Sequence, residues 1–102
     1  MAEDTRYWAS GSWHVTDGKA DEFVARWTEF LTWTKQANDG FLTARLIHDL
    51  ADPGHYVSFA AWRDRESLSG WREKPEFAEL FAACRALCTQ MHGSNYESAT
   101  SV

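Results

Sequence analysis

The sequence is poor in the devices that hold small folds together from outside. It has only two cysteines and two prolines in 102 residues. Nowhere does it approach the ~18–20 consecutive apolar residues that a membrane span needs. Positive charge is also short, 10 Lys+Arg against 15 Asp+Glu for a formal net of -5. That balance lacks the basic footprint that neutralises phosphates, so neither nucleic acid nor a membrane is an expected partner. The opening MAEDTRYW is acidic where a secretory signal would carry a basic and then an apolar region, so a cytoplasmic location is expected. In a reducing compartment Cys84 and Cys88 are free thiols. Their C-x-x-x-C spacing is neither a redox motif nor half a zinc site, and they are expected to be small buried hydrophobes on one helix face. No two histidines stand at a ligand spacing such as H-x-x-x-H, and no acid completes a triad with them. No metal is therefore expected.

What the chain does have is aromatic surface: six Trp, six Phe and three Tyr. The length predicts one domain over residues 1–102, with a core over roughly 6–98, large enough to fold without staples. A monomer of this size struggles to bury so much aromatic area, which points to a ligand cavity or a subunit interface.

Residues 6–16 (RYWASGSWHVT) are rich in β-branched and aromatic types and predict a strand, ended by Asp17-Gly18. From Lys19 to about Ala37, Phe23, Trp27, Phe30, Leu31 and Thr34 recur at helical spacing, leaving Trp33 off the stripe. Asn38-Asp39-Gly40 supplies a stop in the left-handed conformation. FLTARLIHDL (41–50) and YVSFAAW (56–62) predict two strands, and the Ala51-Asp52-Pro53-Gly54 turn between them makes an antiparallel hairpin. Asp64 caps a short helix, 65–72. Pro75 suits the first turn of another helix, which carries Phe77, Leu80, Phe81, Cys84, Leu87 and Cys88 to about Gln90. A last strand is expected over 92–98.

This order, β-α-β-β-α-β, is the ferredoxin-like α+β arrangement: a four-stranded antiparallel sheet with helices on one face. The third strand is nevertheless apolar on both faces, with Val57, Phe59 and Ala61 alternating with Tyr56, Ala60 and Trp62. Packing the second face on another copy would close a dimeric α+β barrel, so a homodimer is expected.

The runs GSWHVTDGKADEFVARW, DGFLTARLIHDL and YVSFAAWRDRESLSGWREKPEFAEL resemble the antibiotic biosynthesis monooxygenase family over roughly residues 10–97. The Gly-Phe opening of the second strand and the aromatic-x-x-Trp closing the third carry the resemblance most clearly. It implies a small dimeric α+β barrel and one of two chemistries. The first is cofactor-free oxygenation of aromatic polyketides, which needs an apolar cleft, a hydrogen bond to the substrate oxygen and a proton acceptor. Trp62 matches that pattern's tryptophan, while Ser58, Leu68 and Phe81 stand where it has asparagine, tyrosine and arginine. The second is haem degradation. Trp71 matches its tryptophan, but Phe81 and Gly11 stand where it has its iron-ligating histidine and an asparagine, so haem chemistry is not expected.

The candidate catalytic residues are therefore His14 as base, with Ser58 and Trp62 positioning the substrate. His14 shares its strand face with Ser10 and Ser12 by alternation, and could equally be a strand histidine that bonds its neighbours. Trp13, Tyr56, Trp71 and Phe81 are candidates to line a site for a flat hydrophobic aromatic molecule, against plain core packing. Arg45 could hold an anionic group or pair with an acid at the dimer edge. His48, His55 and His92 carry weaker signals, His55 and His92 being expected at the surface. Three functions stay open: a monooxygenase of aromatic, polyketide-like substrates in secondary metabolism, a non-catalytic or cyclase/isomerase-like binder of small molecules, and an assembly partner whose aromatics build only an interface.

Overall fold

The computed structural model describes residues 6–102; the acidic opening, residues 1–5, lies outside the described residues. The elements follow as β1 (Tyr7–Val15), α1 (Ala20–Ala37), β2 (Phe41–His48), β3 (His55–Trp62), α2 (Arg65–Glu73), α3 (Pro75–Arg85) and β4 (Cys88–Glu97). The four strands form one antiparallel sheet in the order β2-β3-β1-β4, which is the ferredoxin-like α+β fold expected from the element order. Among the described residues no helix is long and apolar enough to cross a membrane.

Strand alternation sorts the sheet into two faces. Ala9, Gly11, Trp13 and Val15 of β1 are buried, as are Tyr56, Ser58, Ala60 and Trp62 of β3, and this face packs under the helices. α1 closes over it with Phe23, Trp27, Phe30 and Thr34, its four buried residues, at helical spacing. Ring contacts then run through the core: Trp13 meets Phe23 at 5.5 Å, Trp27 at 5.6 Å and Phe81 at 5.3 Å between centroids. The other face presents Trp8, Ser10, Ser12 and His14 of β1 and His55, Val57, Phe59 and Ala61 of β3.

Local signals placed most boundaries. Asp64 accepts from the Ser67 backbone N–H at 2.8 Å and caps α2, and Pro75 stands in the first turn of α3. Gly18 takes φ 82°, the left-handed turn after β1.

Two boundaries differ from expectation. α3 ends at Arg85 and β4 begins at Cys88, four residues before the expected start. The apolar pattern of residues 84–88 fits either element, and pairing of Val15 with Cys88 decides for strand. Cys84 and Cys88 are both buried but sit on a helix and a strand, where Cys88 Sγ reaches the Cys84 carbonyl at 3.6 Å. α1 also ends without a left-handed residue, since Asn38 is extended at φ -136° and Gly18 alone has positive φ among the described residues. Gly40 is required for space instead: a Cβ there would run into the Ser67 side chain of α2.

Burial pushes the Cys84 thiol up to about 12, with neighbouring Cys88 adding to the rise, and burial raises Cys88 too. A disulfide-exchange reagent at about pH 8 is expected to leave both thiols unmodified in the folded protein and titrate both in guanidinium. Fast labelling of the folded protein would contradict the enclosed packing.

Candidate active site

Between the helix-covered face of the sheet and helices α2 and α3 lies an open-sided cleft of about 270 Å³. That is just below the ~300–1,000 Å³ usual for small-molecule pockets, so a ligand of more than two fused rings would extend out of the open side. Its walls are aromatic: Trp71, Phe77, Phe81 and Phe30, with Trp13 and Ser58 at the floor. Trp71 meets Phe77 edge-on at 4.8 Å and stacks on Phe30 at 5.7 Å, while Phe77 stacks on Phe81 at 5.4 Å. The Trp71 indole is fixed further by its N–H, which donates to Thr34 Oγ1 at 3.0 Å.

The floor carries a polar group with a defined direction. Trp13 Nε1–H donates to Ser58 Oγ at 2.9 Å, across the β1–β3 ladder and 45 residues apart in sequence. With that lone pair engaged, the Ser58 hydroxyl proton is free to be donated, and the incoming bond makes it a better donor. Gly11, directly opposite Ser58 in the ladder, leaves the room. A Cβ there would stand 2.8 Å from Trp13 Nε1 and 3.1 Å from Ser58 Oγ.

One charge joins the lining. Arg72, in the last turn of α2, donates to Asn95 Oδ1 of β4 at 2.8 Å, and its guanidinium lies 5.6 Å from the Trp71 ring centre and 5.9 Å from that of Phe77. Partial burial lowers its pKa from the usual value, but an arginine remains cationic at neutral pH. Among the described residues the lining otherwise holds no carboxylate and no imidazole.

Trp13, Ser58, Trp71 and Phe81 are thus brought to one cleft. Trp62 and Tyr56 lie on the same sheet face but outside that lining. Trp62 is fully buried against Trp71 at 4.9 Å and Phe41 at 5.7 Å, and its Nε1 has no hydrogen-bond partner among the described residues. Tyr56 packs under α1 against Phe23 and stacks on His48 at 4.2 Å. Leu68 is one of the buried residues of α2.

His14 and Arg45 are not brought to the cleft. Both stand on the opposite face, where His14 stacks on His55 at 4.8 Å and Arg45 is exposed, donating to Thr43 Oγ1 and the Ala44 carbonyl. The sheet separates them from any substrate at Ser58. Phe77, Arg72 and Asn95 are among the cleft residues that sequence reasoning missed. Asn95 pairs with Ala9 in the ladder and so shares the helix-covered face, a placement that depends on the β1–β4 register. Two further expectations change: His55 is half-buried and bonded rather than at the surface, and an acid does join it, since Asp49 Oδ2 lies 2.9 Å from its Nδ1.

The family model for antibiotic biosynthesis monooxygenases matches residues 7–83. The chain belongs to the antibiotic biosynthesis monooxygenase family. Among solved structures, SnoaB of Streptomyces nogalater, described as a cofactor-independent oxygenase, matches with a TM-score of 0.82 at 20% identity, covering 98% of this chain and 97% of its own. A conserved protein of Methanosarcina mazei Go1 matches with a TM-score of 0.80 at 16% identity, covering 89% of this chain and 90% of its own. At these identities the likeness is one of fold. No curated protein sequence matches the chain. This antibiotic biosynthesis monooxygenase-family domain has an aromatic cleft between sheet and helices, with Ser58, Arg72 and Asn95 among its polar groups.

Proposed function

We propose that this family member is a cofactor-independent monooxygenase of small aromatic, polyketide-like substrates in secondary metabolism, working in the cytoplasm as a homodimer. The observation that carries the reading is the Trp13–Ser58 bond, which aims a hydroxyl donor into a cleft walled by aromatic rings. A planar phenol or anthrone lies against Trp71, Phe77 and Phe81 with its oxygen toward Ser58. The Arg72 cation and the Ser58 hydroxyl both favour the substrate's anion and so raise its acidity. His14 lies across the sheet, so the proton leaves to water at the open side. The carbanion form of the substrate gives electrons to dioxygen, and a carbon–oxygen bond forms at the activated carbon. The peroxide anion so formed takes a proton from water, and the hydroperoxide then loses water, breaking its O–O bond and the C–H bond, as the carbonyl forms.

The uncovered sheet face supports the homodimer. Trp8 and Phe59 meet edge-on at 6.1 Å there, and Tyr96 is 57% exposed near them. A second copy packed on that end would remove these rings from water.

A second reading, a non-oxidative binder or cyclase/isomerase, is favoured by one feature: among the described residues the cleft lining has no neutral-pH base. Oxygen uptake decides between them, measured with anthrones and naphthols, with and without chelator. Chelator-insensitive uptake above the protein-free rate is expected. No uptake, with quenching of Trp fluorescence by the same compounds, would replace oxygenation by the second reading. Neither uptake nor quenching would overturn both.

A further inference from the structure

The sheet face that a second copy would cover carries imidazoles where a subunit interface is ordinarily depleted of charge at its centre. Ladder register places them. β1 brings His14, β3 brings His55 opposite it, and β4 brings His92 opposite Ser12. β2 adds Arg45, the ladder partner of Phe59, and the turn after it adds Asp49 and the exposed Asp52. Tyr96, opposite Trp8, is the phenol of this face, and a tyrosine stays neutral at neutral and acid pH. Arg6 and Arg63 lie past the far end of the β1–β3 ladder, beyond Tyr7 and Trp62, where Arg63 pairs with Asp64. Val57 and Ile47 stand beside the histidines, and Ile47 is 49% exposed, so this end too has apolar surface for a second copy to cover.

The three histidines differ in their partners. His55 Nδ1 lies 2.9 Å from Asp49 Oδ2 and its Nε2 lies 2.7 Å from Ser12 Oγ, so an acid is in place for its positive form. The hydrogen bond from His55 also holds the Asp49 carboxyl below the usual carboxylate range, so Asp49 stays ionised into mildly acid pH. Among the described residues His55 is the one histidine with an ion pair. His14 stacks on the His55 ring at 4.8 Å and 16° and meets no carboxylate. Neutral imidazoles stack freely, whereas two imidazoliums at that separation repel. His92 is exposed on the edge strand and also lacks an acid. In a lone copy, water solvates such charges. Beneath a second sheet, packed about 10 Å away, that water is gone and an unpaired imidazolium is costly. A two-fold interface uses the same face of both copies, so the set is buried twice.

We propose that His14 and His92 make the homodimer acid-sensitive: two copies hold together through this face while both rings are neutral, and separate as they take up protons. The inference rests on the homodimer reading above and not on the chemistry of the cleft. The sign follows from burial. A covered face disfavours the charged form, so the separated copies bind more protons than the dimer does. Association is therefore full above the histidine range and is lost as pH falls through it, between about 7 and 5. Charge works in the same direction. At neutral pH the one cation and two acids around the histidines leave about -1 on each copy, and three imidazoliums take that to about +2.

Sedimentation equilibrium of the full chain at about pH 7.5, 6 and 5 tests this, with circular dichroism at each pH to check that the sheet is intact. A dimer is expected at the highest pH, with a Kd at least about 100-fold weaker at the lowest. Two protons taken up on separation suffice, since each weakens association about tenfold per pH unit. The double variant His14→Gln/His92→Gln keeps polar side chains, leaves the His55–Asp49 turn in place, and should cut the response below about tenfold. Arg45→Gln removes a fixed positive charge and should keep the dimer to lower pH. A folded dimer with the same Kd at all three pH values would overturn the switch and leave the homodimer standing. A monomer at the highest pH would overturn both. A full pH response in the double variant, or a dimer lost only together with the sheet, would overturn the assignment to His14 and His92.

Discussion

Ser58→Ala is expected to lower kcat for oxygen uptake about 100-fold while changing KM far less. The argument starts from what the hydroxyl does. Ser58 is buried, receives the Trp13 N–H and has its own proton left to give to the cleft. A donor to a substrate oxygen gains strength as negative charge builds there, so its loss falls on the step rather than on binding. Removal of one such donor in a water-poor site commonly costs about 10²–10³ in rate. The same change leaves Trp13 Nε1 buried and unpaired, which should lower stability by about 1–3 kcal/mol. Oxygen-electrode kinetics together with thermal unfolding separates the two effects. Unchanged turnover in a folded variant would move the anion-stabilising role from Ser58 to Arg72, and Arg72→Met would then carry the loss.

Trp71→Ala is expected to cost about 3–5 kcal/mol, the range for truncating a large buried aromatic. Trp71 is 4% exposed and joins three parts of the core: Phe30 of α1, Trp62 of β3 and Phe77 of α3. It also satisfies Thr34, whose hydroxyl in turn donates to the Phe30 carbonyl at 2.7 Å. The total stability of a domain is only about 5–15 kcal/mol, so this one change removes a large share. A fall in Tm on the order of 15–30 °C should follow for a chain of this length. Trp71→Phe keeps the stack and loses only the bond to Thr34, so its Tm should fall by a small part of that. If Trp71→Ala unfolded within a few degrees of wild type, the aromatic wall would be lining rather than support, and α2 would be held by its cap and β-sheet contacts alone.

The fold was legible because its signals are local. Phe23, Trp27, Phe30 and Thr34 mark one helix face by spacing alone, and Ala51-Asp52-Pro53-Gly54 marks a hairpin by turn chemistry. Where a segment satisfies two patterns, locality fails. Residues 84–88 could continue a helix, and a pairing partner 73 positions away, Val15 for Cys88, makes the last of them strand. Gly40 looked like a helix stop by conformation, but what requires glycine there is the approach of Ser67, invisible until α2 is in place.

The candidate site divides the same way. By itself the sequence determined the element order, the aromatic supply and the sharing of one strand face by Ser10, Ser12 and His14, since alternation is a property of neighbouring residues. Alternation defines two faces without saying which one the helices cover. Only the tertiary structure put Trp13, Ser58, Trp71 and Phe81 around one cleft and left His14 across the sheet. Only the strand order β2-β3-β1-β4 brought Asn95 to Arg72 and Ser12 to His55. The reason is physical: a hydrogen bond of 2.9 Å between residues 45 apart depends on the long-range register of paired strands, and no local propensity encodes that register.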